Sequence, residues 1–507
     1  MLPASPHQQP CYHRTSSYLA PVKSPQEEVH ISPHATAAHN RPLWPAYGAE
    51  AVCSMGTTLM TVAIFFWTQT YFGWDLKRNF LLAAMQGIAY TAGALLAQRV
   101  ATTFGRRRAL IGIYLLLTAL ALLTTLARSP AVMLPILFLY SMIAASNWPM
   151  LESLVTGGAD ATTISRRVAL YNLMWSITNA LTTAVSGTII MSSRQGLFLA
   201  AAAVHLVCAV LLFIGKRIDP GEQPTQHPHA APEPELLRSR TLAMWLARIA
   251  LPATYVVIFS MMAMMPSLPV MHRLTVAHST RVSSVWMIAR TLTFLLLGFT
   301  AWWHTRPRLL LFSTIVMLIA FWGVTIAPSS LNQSSPSSPS PGTPGEGRVR
   351  AFPQQPTIST SPADPPPLPY RAPAQRDGSR GEGLTSSSAI SPSQSPPTSP
   401  HPLDLPAMIL SQIILGAALG TIYAGSLYFG MVLSEGSTEH GGYHEALIGL
   451  GCILGPGAGA LVQSLSQTQT AATPWPAISA VSLVISITIA AAGVATFRIQ
   501  RHHNHAA

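Results

Sequence analysis

Ser426 to Ala460 reads SLYFGMVLSEGSTEHGGYHEALIGLGCILGPGAGA: the end of one apolar run, a short charged turn, and the glycine-rich start of another. The pattern predicts two membrane helices and the loop joining them. In the second, Gly451, Gly455, Pro456 and Gly459 follow G-x-x-x-G-P-x-x-G. Glycines four residues apart share one helix face and let a neighbouring backbone come close. Pro456 removes one backbone hydrogen bond and permits a bend. Helix packing explains this face more simply than direct contact with a substrate.

Composition extends the same reading to the whole chain. Of 507 residues, 49% are hydrophobic and 9% charged, with mean hydropathy +0.35. A soluble domain carries about 25% charged residues. The formal charge of +12 sits in short loops between apolar runs, which fits positive-inside topology rather than nucleic-acid binding. Of the 30 basic residues only Lys23, Lys77 and Lys216 are lysines, a bias that fits a GC-rich genome. Cys11, Cys53, Cys208 and Cys452 lie far apart, so neither a disulfide framework nor a metal knuckle is indicated, and they read as packing residues.

The organisation follows from where apolar runs near the roughly 20 residues of a membrane crossing occur. Residues 1–46 are polar and rich in Pro and His, and read as a disordered cytoplasmic tail. Six segments then fall near 47–68, 80–100, 109–126, 131–151, 168–191 and 196–214. Residues 215–240, proline-containing and basic at both ends, read as a cytoplasmic linker. Six more segments fall near 241–265, 282–303, 309–326, 407–430, 446–464 and 475–497. Between them 327–406 is Ser/Pro-rich, a composition that cannot offset chain entropy, and reads as a disordered insertion. Residues 498–507 form a cytoplasmic tail. The expected fold class is an all-α integral membrane protein with twelve transmembrane helices in two six-helix halves, 47–214 and 241–326 with 407–497. With both termini inside, loop basic residues such as Arg106, Arg107, Arg108, Arg166, Arg167 and Arg306 outnumber those on the other side.

This layout resembles the major facilitator superfamily (MFS) of transporters. The run at 451–459 is similar to the glycine-proline motif described in the fifth helix of the family's antiporters, here in the eleventh and ending on Ala460. The family's loop motif between the second and third helices, G-x-L-A-D-R-x-G-R-R, is partly matched. Gly105, Arg106 and Arg107 supply its glycine and basic end, and Thr102 stands at its acidic position; Gly298 and Arg306 keep its outer spacing in the second half. The resemblance implies halves locked together by such loops, rocking around a site near the membrane midplane. It implies secondary active transport of a small solute, coupled to a proton or solute gradient, with no cofactor. The expected partners are that solute and the lipid bilayer; no nucleic acid is implied, and the architecture can work as a monomer. A bacterial inner membrane with both termini cytoplasmic is the expected location. The alternative is a transporter-like sensor or scaffold that binds a solute without moving it.

Ionisable residues inside the bilayer are costly and therefore candidates for function. Arg290 lies about nine residues into the eighth segment, too deep to reach the surface easily. It either binds an anionic group of the substrate or pairs with a carboxylate between helices. Asn172, Trp175, Ser176 and Asn179 repeat at three- and four-residue intervals in the fifth segment; they line a cavity or bond neighbouring helices. Glu50 is the candidate for proton coupling, against an exposed carboxylate at a helix start. Glu152 is expected to pair with Arg166 and Arg167, and Arg248 to reach the membrane surface. Glu435, Glu439, His440, His444 and Glu445 crowd one turn without metal-ligand spacing and read as a solvated loop, with Glu445 in the helix's first turn. The terminal RHHNHAA is an exposed tail capable of weak metal binding. Phosphate-binding loops, G-x-S-x-G elbows and zinc signatures do not occur, so no enzyme is expected.

Overall fold

The computed structural model describes residues 43–157, 161–215, 234–300, 302–306, 308–330, 404–433, 438–465 and 475–504. Residues 1–42 of the expected 1–46 tail, most of the linker (216–233), the core of the insertion (331–403) and Glu435 lie outside the described residues, while the tail's last residues, from Trp44, already belong to the first helix.

The described residues are helical, without strands. In the first half the helices are α1 (Trp44–Phe72), α2 (Leu76–Phe104), α3 (Arg106–Thr125), α4 (Pro130–Thr156), α5 (Ala161–Ser192) and α6 (Gly196–Ile214). In the second they are α7 (Pro234–Met264), α8 in two pieces (Val276–Ser283 and Val285–Gly298), α9 (Arg308–Ser330), α10 (Asp404–Leu433), α11 (Thr438–Leu465) and α12 (Trp475–Asn504). Among the described residues 11 helices are long and apolar enough to cross a membrane. The two pieces of α8, interrupted only at Ser284, stand where the remaining expected crossing falls in the sequence.

Helix α2 shows how the sequence sorts its faces. Leu81, Ile88 and Leu95, seven residues apart, point outward, while Ala83, Gly87 and Ala94 are turned inward. Lipid is as apolar as leucine, so burial of large side chains does not drive helices together; small residues that permit close backbone contact do. Among the described helices the most extensive contact is α2 against α11, which joins the two halves. A Cβ at Gly87 would lie 2.7 Å from the Cys452 carbonyl carbon, and one at Gly449 would lie 2.9 Å from the Thr91 amide nitrogen. Gly451 and Gly455 instead face α7: a Cβ at Gly455 would lie 2.6 Å from the Val256 carbonyl oxygen. Gly459 returns to α2, where the Phe80 ring fills the space. Pro456 sits inside α11, which continues through it as one helix.

The second contact between halves is α5 against α8. Gly187 donates its amide to Thr280 Oγ1 at 3.1 Å, and Gln69 Nε2 donates to the Pro266 carbonyl at 3.1 Å near the same end. At the opposite end Thr156 Oγ1 lies 3.8 Å from Met431 Sδ, and Gly441 packs on Pro149. The halves therefore touch on both sides of the centre.

Gly105, at φ +76°, takes the left-handed turn between α2 and α3 that a side chain would strain. It delivers Arg107 to the C-terminal end of α6, where Nε donates to the Leu212 carbonyl at 3.0 Å and Nη2 to the Phe213 carbonyl at 2.9 Å. These are orphan carbonyls of a helix end, and a cation there also meets the negative end of the helix dipole. The bonds described for Arg107 tie α3 to α6 within the first half, a helix-packing role. Arg107→Ala is expected to cost about 1–2 kcal/mol, read as a lower Tm. Arg107→Lys recovers only part of it, because an ammonium lacks the fork that reaches two carbonyls.

Candidate functional site

A cavity of about 110 Å³ lies where the two halves meet, and each half contributes four helices to its wall. From the first half come Ser54, Thr57, Thr58 and Thr61 on α1, Tyr90 on α2, Trp148 on α4, and Trp175 and Asn179 on α5. The second half supplies Tyr255 and Phe259 on α7, Trp286 and Arg290 on α8, Tyr423 on α10, and Glu445 on α11. One turn of α1, Leu59–Ala63, is a π-helix and contributes Thr61 and Val62 to the wall. The extra residue in such a turn redirects the side chains around it.

Arg290 occupies one side of the cavity and is 4% exposed. Its guanidinium carbon lies 4.4 Å from the Trp175 ring centroid and 4.7 Å from that of Trp286, so an indole from each half holds it. Its Nε has no hydrogen-bond partner. The helix backbone here is set by α10: a Cβ at Gly416 would lie 3.0 Å from the Arg290 amide nitrogen, and one at Gly420 would lie 3.2 Å from its carbonyl oxygen. Trp175 is fixed in turn. Its Nε1 donates to Asn172 Oδ1 at 3.1 Å, and its ring meets Phe294 and Tyr423 edge-on at 5.4 and 5.1 Å. Asn172 thus positions an indole and lines a smaller neighbouring cavity. Asn179 lines the central one and accepts a hydrogen bond from Thr58 Oγ1 at 2.7 Å.

The other side of the site is acidic. Tyr90 OH donates to Glu445 Oε2, and the Tyr90 ring stacks on Trp148 at 5.4 Å. Beside Glu445 lie Glu152 of α4 and His444, the three offering donor atoms within 4.8 Å of one another. Tyr423 connects the two sides, its ring 5.1 Å from Trp175 and 5.7 Å from His444. Glu50 is fully buried in α1, accepting from Ser54 Oγ at 3.1 Å through Oε1, while Oε2 has no donor.

Two expectations are corrected here. Glu152 does not pair with Arg166 or Arg167: both its oxygens are buried without a partner. Arg167 instead donates through Nη1 to the Val155 carbonyl at 3.0 Å, one of the open carbonyls ending α4, and Arg166 is exposed. Glu152 lies a turn back on the face turned to α11. Glu445 and His444 are likewise not in a solvated loop. Helix α11 begins at Thr438, two turns before Glu445, so Glu445 is carried inside and is 1% exposed. Arg248 lies 5.8 Å from the Trp245 ring, away from the cavity. Tyr90, Trp148, Tyr255, Trp286 and Tyr423 escape the sequence because an inward aromatic in an apolar helix looks the same as a packing residue.

A family model of the Major Facilitator Superfamily matches residues 46–338. No curated protein matches the chain by sequence. Among solved structures, the nucleoside transporter NupG is similar at 12% identity and TM-score 0.54, covering 90% of this chain and 98% of that one. A mutant form of NupG gives the same identity and coverage of this chain, with TM-score 0.56 and 99% of its own length covered. Similarity at this identity concerns the fold. The family match, spanning more than half the sequence and joined to a cavity built equally by both halves, makes this chain a member of the major facilitator superfamily, an integral membrane protein for secondary transport of a small solute.

Proposed function

We propose that the central cavity is the transport site and that Arg290 holds an anionic or strongly accepting group of the solute. The observation carrying this reading is a buried guanidinium at the cavity wall with an unpartnered Nε and, among the described residues, no carboxylate paired to it. A charge is kept in such a place only when something repays its desolvation. The two indoles supply part of that, and a bound anion supplies the rest. The wall is otherwise aromatic on several sides and hydroxyl-bearing along α1, which suits a flat solute with polar edges. NupG is a nucleoside transporter, and nucleosides belong in the set to be tried.

Movement follows from the inter-half contacts at both ends: opening one while the other holds gives alternating access. Glu50 is proposed to carry the coupling proton. It is buried without a cation beside it, with Tyr171 and Trp148 facing it, and Ser54 links it to the cavity wall. Both termini are placed in the cytoplasm, as the arginine distribution favours.

The test is uptake into proteoliposomes from a panel of aromatic carboxylates, nucleosides, amino acids and organic cations, with and without an inward proton gradient. Solutes carrying an acceptor group should be taken up and cations refused; preference for cations, or no flux of any solute, overturns the reading. One proton per solute sustains up to about tenfold accumulation per pH unit. Glu50→Gln is expected to abolish that accumulation while solute exchange at equal pH continues. Retained accumulation in the variant would remove Glu50 from the coupling.

A further inference from the structure

We propose that Glu152, His444 and Glu445 form a binding site for a divalent transition-type metal ion that bridges the two halves. The donors come from opposite halves, Glu152 from α4 and the other two from α11, and their ligand atoms lie within 4.8 Å of one another. All three are buried, at 2%, 5% and 1% exposure. The independent observation is that neither oxygen of Glu152 has any hydrogen-bond donor, although both are shielded from water. Glu445 has one, the Tyr90 hydroxyl. Among the described residues no lysine or arginine pairs with these two carboxylates, and in so dry a place both can stay ionised only with a cation between them. One imidazole nitrogen with two carboxylates is a donor set for zinc, manganese, iron(II) or cobalt rather than for calcium or magnesium.

The backbone is shaped to bring the donors together. Gly441, one turn before Glu445, packs where a Cβ would lie 3.2 Å from Glu152 Oε2 and 3.2 Å from the Pro149 Cα. Glycine there lets α11 sit close against α4 where the carboxylates meet. An ion at this point holds the halves together at the end of the bundle that carries Gly105, and its loss leaves two anions facing each other. The site is thus a latch on one gate at the acidic side of the cavity that Arg290 also lines, and its test reads metal binding rather than uptake.

The test uses the full chain with the terminal histidines His502, His503 and His505 replaced by alanine, so that the tail offers no imidazole to the added metal. After chelation, zinc, manganese and cobalt are titrated calorimetrically, with calcium and sodium as comparison ions. One equivalent of a transition-type ion should bind, and Glu152→Gln and His444→Ala should each weaken it at least tenfold. A measurement on the unsubstituted site covers the case in which either variant fails to fold: Mn²⁺ bound there should show electron spin-echo modulation from a single imidazole nitrogen. Binding should also raise Tm, an increase absent in Glu152→Gln. No stoichiometric binding once the tail is removed, or binding unchanged by Glu152→Gln, overturns the proposal. So does proton uptake without metal binding, which would assign the positive charge to a shared proton.

Discussion

Arg290→Ala is expected to lower the uptake kcat/KM by roughly two to three powers of ten while leaving the protein folded. Removing one partner of a buried, charge-assisted contact costs about 2–5 kcal/mol, and each 1.36 kcal/mol is tenfold in rate. Stability should fall much less. Were Arg290 half of a structural ion pair, its removal would strand a buried charge and cost about 3–5 kcal/mol of folding energy. Among the described residues no carboxylate is paired with it, and what the folded state loses is mainly its contact with Trp175 and Trp286, worth about 2 kcal/mol when desolvated. Uptake and Tm measured together separate the two roles. Lost uptake with a fall in Tm no larger than that contact accounts for places Arg290 on the solute; uptake that falls only in step with folded yield makes it a packing residue. Arg290→Lys adds a finer distinction. The ammonium keeps the charge but neither stacks as a plane nor bonds an anion through a fork, so transport should remain at least about tenfold below the native rate.

The fold was legible because the bilayer imposes a length on every crossing, and eleven apolar runs satisfy it without help from tertiary contacts. Helix α8 was the least legible in its bounds. Its first piece, VAHSTRVS, reads as a polar loop, yet Ser279, Thr280 and Ser283 are buried, with Thr280 accepting from Gly187 of α5. Their polarity is internal, and a hydropathy reading counts it as solvent exposure. The site divides along the same line. Arg290 stands out because a lone charge in an apolar run has few explanations. Glu445 does not, because HGGYHE looks like loop sequence, and only the early start of α11 at Thr438 turns it inward. Glu152 shows a further limit: its nearest basic residues in sequence are Arg166 and Arg167, but α4's own terminal carbonyl takes Arg167 and the carboxylate faces a helix nearly three hundred residues away. Convergence of α4 with α11 is a property of the assembled halves and leaves no mark on either segment alone.

A large loss of stability is expected at Gly455, where leucine should leave little folded protein. A Cβ there would stand 2.6 Å from the Val256 carbonyl oxygen and 2.5 Å from Ser260 Oγ, and the carbonyl belongs to the backbone of α7, which cannot rotate aside. Overpacking a fitted interface costs about 1–3 kcal/mol even when side chains can yield; here α11 must move bodily. It cannot retreat freely, because its other face lies on α2, where a Cβ at Gly459 would already stand 2.9 Å from the Phe80 ring. Displacing α11 from α7 therefore disturbs the junction between the halves as well. Gly455→Ala tests the same clash at its smallest and should lower Tm measurably. Gly457→Ala is the control within the same helix: nothing lies within 4 Å of its added Cβ, and alanine is favoured over glycine in a helix by about 1 kcal/mol. Tm should hold or rise at 457 and fall at 455. Equal responses at the two positions would mean that helix propensity, not contact with α7, governs this segment, and that the glycine spacing in α11 is not what seats it between its neighbours.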